Sequence, residues 1–258
     1  NGENSVAKSA TASGSQTLAD ILNNRLTMKK LYIVIIILLI SNQINSQKNN
    51  DKYPKFKFGL NVGPNYTSLR GNFYAGRETA KYDPQFNFFG GLFFEYKLDK
   101  HLSIVANLNY ENKSVESNYL YYDSFLDFNP EHIEDQIKFK YINLPILLRC
   151  HFGGDNNLFL NTGIFVNNLI DVENIITNTD TGEKYNALDF NSFFDINDIG
   201  IVLGFGSNFN ISSRSCLSIE LRDDYGIQDI NSLNLYYENY TSKTNSIKLI
   251  LTWSFSNK

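Results

Sequence analysis

From Ser246 to Phe255 apolar and polar side chains change places at almost every residue. Ile247, Leu249, Leu251, Trp253 and Phe255 fall on one face, and Ser246, Lys248, Ile250, Thr252 and Ser254 on the other. A period of two is the geometry of a β-strand and of no helix. The face that carries Trp253 and Phe255 is too continuous and too apolar to be left in water. Whatever covers it defines the fold.

Seven further segments repeat the pattern. The first runs over about 55–68, where Phe56, Phe58, Leu60 and Val62 alternate with Lys57, Gly59, Asn61 and Gly63. The second, about 87–98, sets Phe88, Leu92, Phe94, Tyr96 and Leu98 against Gly91, Glu95 and Lys97. The third, about 102–113, opposes Leu102, Ile104, Ala106, Leu108 and Tyr110 to Ser103, Asn107, Asn109 and Glu111. The fourth and fifth cover about 136–152 and 157–168. In the sixth, about 199–211, Ile201, Leu203, Phe205 and Phe209 face away from Gly200, Gly204, Gly206 and Asn208. In the seventh Leu217, Ile219 and Leu221 alternate with Ser218, Glu220 and Arg222. Tight turns follow at Leu98 to His101, Gly153 to Asn156 and Ser212 to Ser215. The connections at about 69–86, 114–135, 169–198 and 226–242 are long.

An open sheet with this apolar surface needs a second layer, and no segment beyond the N-terminal leader has helical periodicity to supply one. Closure removes the edges and turns the apolar face to lipid. The expected fold is all-β: an eight-stranded antiparallel up-and-down transmembrane β-barrel in the bacterial outer membrane, preceded by a signal-peptide helix. Strands of about 9 to 11 tilted residues cross the hydrocarbon, which these lengths satisfy. Tyr96, Phe152, Phe209, Trp253 and Phe255 near the short turns, and Tyr110 and Tyr225 near the long loops, form the two expected aromatic girdles. The rival is a soluble lipocalin-like carrier with an apolar interior. The inward row Ser218, Glu220, Arg222 and Asp224 is too polar for it. In bacterial barrels the long loops are extracellular, so both chain ends are expected in the periplasm.

Met28-Lys29-Lys30 followed by the apolar run Leu31 to Ile40 reads as a secretory signal peptide over 28–46. That run is about half of the roughly 20 residues a spanning helix needs. Residues 1–27 precede it and are set apart from the fold as upstream, disordered sequence, 47–54 form a periplasmic linker, and 55–258 form the barrel. The formal charge of -4 and the lack of a basic block exclude a nucleic-acid partner. Cys150 and Cys216 have opposite facing and are expected to stay free.

Several motifs resemble the PorT-like outer-membrane β-barrel family typical of Bacteroidetes. They are Phe58-Gly59-Leu60-Asn61-Val62-Gly63, Tyr141-Ile142-Asn143-Leu144-Pro145-Ile146-Leu147-Leu148-Arg149, Thr162-Gly163, the strand Gly200 to Gly206, and Tyr225-Gly226-Ile227 followed by Ile230. They span the mature chain in order. The resemblance implies an outer-membrane barrel, and its founding member is linked to type IX secretion. Asn143 stands where that family more often has an acid, so no ion pair is expected at that level. Pro145 cannot donate to a ladder and implies a bulge or local break.

Catalytic, cofactor and metal sites are not expected. His101, His132 and His151 share no ligand spacing, and Gly204-Phe205-Gly206 lacks the rest of a dinucleotide fingerprint. The acids Asp123, Asp127, Glu131, Glu134 and Asp135 read as solvated loop charge. Inward-facing Arg149, Glu220, Arg222, Glu95, Glu111 and Lys248 are candidates for a polar lumen network, joined by Lys57 and Lys97, because side chains fill an eight-stranded interior. A small passive channel is the alternative. Trp253 and Phe255 are candidates for the signal read by barrel assembly machinery. The expected role is structural, or surface interaction as a lipid-embedded monomer. Tyr119 to Tyr122, Phe125 to Phe128, Tyr236, Tyr237 and Tyr240 could meet an extracellular protein or glycan, or pair with one another on strands that extend past the bilayer.

Overall fold

The alternation is realised as a closed ring. In the computed structural model residues 55–71, 73–75, 78–80, 82–121, 131–154, 157–186, 194–232 and 241–256 are described. The leader, Tyr122 to Pro130, and Tyr236, Tyr237 and Tyr240 lie outside them. The described strands are β1 (Phe56–Gly71), β2 (Phe73–Ala75), β3 (Glu78–Ala80), β4 (Asp83–Lys97), β5 (Leu102–Tyr121), β6 (Glu131–Phe152), β7 (Leu158–Asn178), β8 (Lys184–Asn186), β9 (Asn197–Asn210), β10 (Ser215–Gly226) and β11 (Ser242–Ser256). Eight are long, and each pairs antiparallel with the next long strand. β1 against β11 closes the ring, with Leu60 opposite Trp253 and Val62 opposite Leu251. β2 and β3 form a separate small hairpin, and β8 adds to β7 beyond β9.

The facing is as the periodicity predicts. Leu60 is 61% exposed and its neighbour Asn61 3%. Phe58, Val62, Phe88, Leu92, Tyr96, Leu203, Phe205, Leu221, Leu249, Leu251 and Trp253 all lie exposed on the outer surface. A monomer in water would not tolerate an apolar belt of that extent, and lipid covers it at no cost. Tyr96, Phe152, Phe209, Trp253 and Phe255 at the short-turn end, and Tyr110 and Tyr225 toward the other, are exposed as girdle residues should be.

The loop expectation needs correction. The 114–135 and 169–198 segments are not simply loops: β5, β6 and β7 run for 20, 22 and 21 residues, about twice what the bilayer needs. Tyr119, Leu120 and Tyr121 pair in register with Ile133, His132 and Glu131, so the strands do extend past the bilayer here, but Tyr119 and Tyr121 stand opposite Ile133 and Glu131 and not opposite other aromatics. The register shift lies between Lys140 and Tyr141, where β7 carries Ile170 as the extra residue, and not at Pro145. At Leu144 and Pro145 the β5 pairing is interrupted without a change of register, as a missing N–H requires. Finally, the interior is not polar throughout. Phe93, Val105, Leu147, Phe165 and Val202 form one buried cluster.

The inward glycines of β9 make room for this packing. A Cβ at Gly204 would stand 2.3 Å from Glu220 Oε1, and one at Gly206 2.4 Å from the Phe159 ring. Large side chains from β7 and β10 occupy the space that β9 leaves.

Candidate functional site

The interior charges fall into two groups. Toward the short-turn end, Glu95 of β4 meets Lys57 Nζ at 3.6 Å, Arg149 at 3.6 Å and His151 Nε2 at 3.0 Å. Ser103 Oγ lies 3.0 Å from the same ring nitrogen. Arg149 donates from Nε to Asn161 (2.9 Å) and reaches Glu220 at 3.5 Å. Arg222 forks onto Glu220 with two bonds of 2.7 and 3.0 Å, and Asn161 donates to the same carboxylate at 2.8 Å. Glu220 thus serves two guanidinium groups and an amide, the bidentate arrangement that arginine favours.

The second group lies toward the long-loop end. Lys248 of β11 sits between Glu111 (2.7 Å) and Asp224 (2.6 Å), and Asn65 donates to Glu111 at 3.0 Å. Lys113 reaches Asp198 at 3.4 Å, and Thr244 donates to the same oxygen at 2.7 Å. Asn143 stands in an amide chain. Asn109 donates to Asn143 (3.0 Å), Asn143 to Asn167 (2.7 Å) and Asn167 to Asp198 (2.8 Å). Hydrogen bonds replace an ion pair at that level, and they cross from β5 through β6 and β7 to β9.

Aromatic rings complete the packing. The Arg149 guanidinium lies 3.9 Å above Phe159, and Lys113 faces Tyr141 and Phe165 at 5.1 and 5.5 Å. Above the charges Tyr82, Val115, Ile137, Phe139, Tyr141, Val172, Phe194 and Ile230 form a buried apolar cap. The Phe139 and Phe194 rings meet edge to face at 4.8 Å. Asp135, expected as solvated loop charge, is 8% exposed. It accepts from Tyr82 Oη at 3.1 Å and from the Asn174 amide. Asp135 lies well beyond the roughly 9 to 11 residues of β6 that cross the hydrocarbon. Burial raises its carboxyl above the ordinary value and outweighs the two hydrogen bonds. Burial beside Asp135 likewise raises the Tyr82 hydroxyl.

The six network candidates Arg149, Glu220, Arg222, Glu95, Glu111 and Lys248 all face inward and are buried, and each is ion-paired within one of the two groups. Sequence reasoning did not single out Lys113 and Asp198, nor the cap residues Phe139 and Phe194. Lys113 had the correct parity on its strand. Asp198 had no signal, because it sits where a loop was expected. Trp253 and Phe255 face outward with ring centroids 5.1 Å apart, and the Trp253 indole donates to Ser215 Oγ at 2.8 Å. His132 lies on the rim, where Asp180 accepts its backbone N–H at 2.9 Å and approaches its ring at 3.1 Å. These hydrogen bonds, the backbone one foremost, hold the Asp180 carboxyl below its ordinary value. Cys150 is exposed, Cys216 is buried, and both are free thiols.

A lipid-facing ring of eight long antiparallel strands around a packed ionic interior defines a small transmembrane β-barrel of the bacterial outer membrane. The chain belongs to the family described as outer membrane protein beta-barrel domain, whose profile matches residues 45–232. No curated protein matches it in sequence. Among solved structures it is similar to the outer membrane protein OprG of Pseudomonas aeruginosa, at 11% identity over 80% of this chain and 97% of that one, with a TM-score of 0.44. Outer membrane protein W of E. coli gives 9% identity, 80% and 100% coverage and a TM-score of 0.41. Ail, the attachment invasion locus protein of Yersinia pestis, gives 10%, 78% and 99%, and 0.36.

Proposed function

We propose that this protein is a monomeric, non-catalytic barrel that acts at the cell surface by presenting the tall wall of β5, β6 and β7 to an extracellular protein or glycan. The long-loop end faces outward and the short turns face the periplasm, as in other bacterial barrels. One observation carries the reading. The interior is packed with paired charges and capped by Phe139, Phe194 and Ile230, so the investment in long paired strands goes to the rim and not to a pore. On that rim Tyr119, Leu120, Tyr121 and Tyr185 are exposed. Tyrosines of this kind offer apolar area and a hydroxyl at small entropic cost. The likeness to PorT-like barrels of Bacteroidetes supports the same location and adds protein secretion as the competing role.

The test replaces Ser117 to Gln136 by a short turn in the full barrel. The variant is expected to keep its boiling-dependent gel mobility and to lose binding of whole cells to host-surface or glycan arrays. Unchanged cell binding, together with cargo trapped in the periplasm when the protein is deleted, would move the assignment to secretion. Steady ion conductance of the intact barrel in planar bilayers would move it to a channel.

A further inference from the structure

Arg70, near the end of β1, has the parity of the outward-facing Leu60, Val62 and Tyr66 and stands opposite Lys243 of β11. Its side chain does not stop there. It crosses β11 to reach β10, the strand beyond, where the guanidinium lies 3.6 Å above the Tyr225 ring. Nη2 donates to the carbonyl of Gly226, at the end of β10, and reaches that of Thr244, near the start of β11, at 3.5 Å. Asp223, on the same outer face of β10, attracts the guanidinium. Gly226 and Thr244 are the two feet of the last long connection. One arginine therefore grips both feet from outside the barrel.

The connection that Arg70 grips carries half of the apolar cap. Ile227, Gln228 and Asp229 separate Gly226 from Ile230, which is fully buried in the cap cluster. The Ile230 N–H donates to Ser242 O at 2.8 Å, and Asp229 Oδ1 accepts the Ser242 N–H at 2.8 Å. The other half rides on the first. The Asp195 N–H donates to Ile230 O at 2.9 Å, Ser232 Oγ donates to Asp195 Oδ1 at 2.9 Å, and Phe194 forms an isolated bridge with Asn231. What holds Ile230 inward thus holds Phe194 inward. These ties lie outside the strand ladders, so the cap can part from the wall while every long strand stays in the sheet. Closure also carries a cost. Tyr141 Oη in the cap and Asp198 Oδ1 below it are buried without a hydrogen-bond partner, so desolvation opposes closure while apolar burial favours it.

We propose that the cap is a lid over the long-loop end of the lumen and that Arg70 is its latch, placed on the outer side of the wall. Opening uncovers the ion pair of Lys113 and Asp198. The groups around Lys248 and Arg149 stay packed beneath it, so the open state is a recess and not a pore. The lid is independent of binding at the rim and stands or falls apart from it.

Site-resolved amide exchange of the full barrel in lipid vesicles reads the lid directly. In the parent protein the Asp195 and Ile230 amides are expected to exchange by local opening, which low urea leaves unchanged, at a smaller opening free energy than Leu92 and Leu221 in the mid-barrel ladders. One common opening free energy for all four amides overturns the lid. Arg70→Ala is expected to speed the two cap amides by about tenfold or more, the scale of one lost charge-assisted hydrogen bond, while Leu92 and Leu221 keep their rates. Arg70→Lys, which keeps the charge and loses the fork, is expected to fall between. Equal acceleration of all four amides makes Arg70 a general brace and overturns the latch, as do unchanged rates. Where Arg70→Ala fails to insert, Tyr225→Leu removes the ring beneath the guanidinium and decides the same question. Selective acceleration of the cap amides in that variant upholds the latch, and uniform acceleration or none overturns it.

Discussion

Arg149 on β6 and Glu220 on β10 hold their charged groups 3.5 Å apart, although β7 and β9 separate their strands in the sheet. The contact therefore crosses the lumen. Removing the guanidinium leaves Glu95 and Glu220 buried with fewer cations, a loss that costs about 3–5 kcal/mol when one partner of a buried pair is deleted. Arg149→Ala is expected to lower the urea midpoint of unfolding, followed by the gel-mobility shift. Arg149→Lys should recover part of the loss, since an ammonium cannot keep both the Asn161 bond and the Glu220 contact.

Gly204 stands against the same carboxylate. Its missing Cβ would lie 2.3 Å from Glu220 Oε1, with the other near atoms also on side chains. Gly204→Ala is expected to cost about 1–3 kcal/mol by overpacking and by displacing Glu220 from Arg222 and Asn161. A double-mutant cycle with Glu220→Gln should show strong coupling. Additive losses would mean that Gly204 acts through the backbone alone.

These two residues show what the sequence made legible. The period of two placed Gly204, Glu220, Arg222 and Arg149 inside, and the spacing of the turns placed the eight strands. Which cation meets which acid was not legible, because such contacts depend on how strands distant in the sheet approach across a closed ring. Phe93, Phe159 and Phe165 were missed for another reason. Their segments carry apolar residues at both parities, so alternation does not choose a face. The rim strands were legible only as an alternative to loops, because Glu116, Ser117 and Asn118 have the polar composition of a loop. They pair because β6 continues beside them, a tertiary effect with no local signature.

Asp135 gives the rim a pH dependence. Its folded-state pKa is raised above 3.8 by burial, so the native state binds a proton more readily than the unfolded chain. Its contribution to stability is therefore fully present below the unfolded value and is lost as pH rises through the raised one. Amide protection of β6 near Asp135 is expected to increase on acidification toward pH 4. Asp135→Asn should hold that protection level across the window, because the amide can still meet Tyr82 and Asn174. An unchanged pH response in this variant would assign the effect to another group.

The last strand carries the closure and, by our proposal, the assembly signal. β11 pairs with β1 on one side and β10 on the other, and it supplies Lys248 and Thr244 to the interior network. Deleting Ser246 to Lys258 exposes two strand edges within the hydrocarbon and strands Glu111 and Asp224 without their cation, so no heat-modifiable barrel is expected in the membrane fraction. Trp253→Ala with Phe255→Ala separates the two roles. Both rings face outward, so the ladder and the network survive their removal. The double variant is expected to fold in detergent at close to the parent's stability and to accumulate in the periplasm of cells. Normal insertion in cells would locate the assembly signal elsewhere on the strand. Failure to fold in detergent would make the two aromatics structural girdle residues.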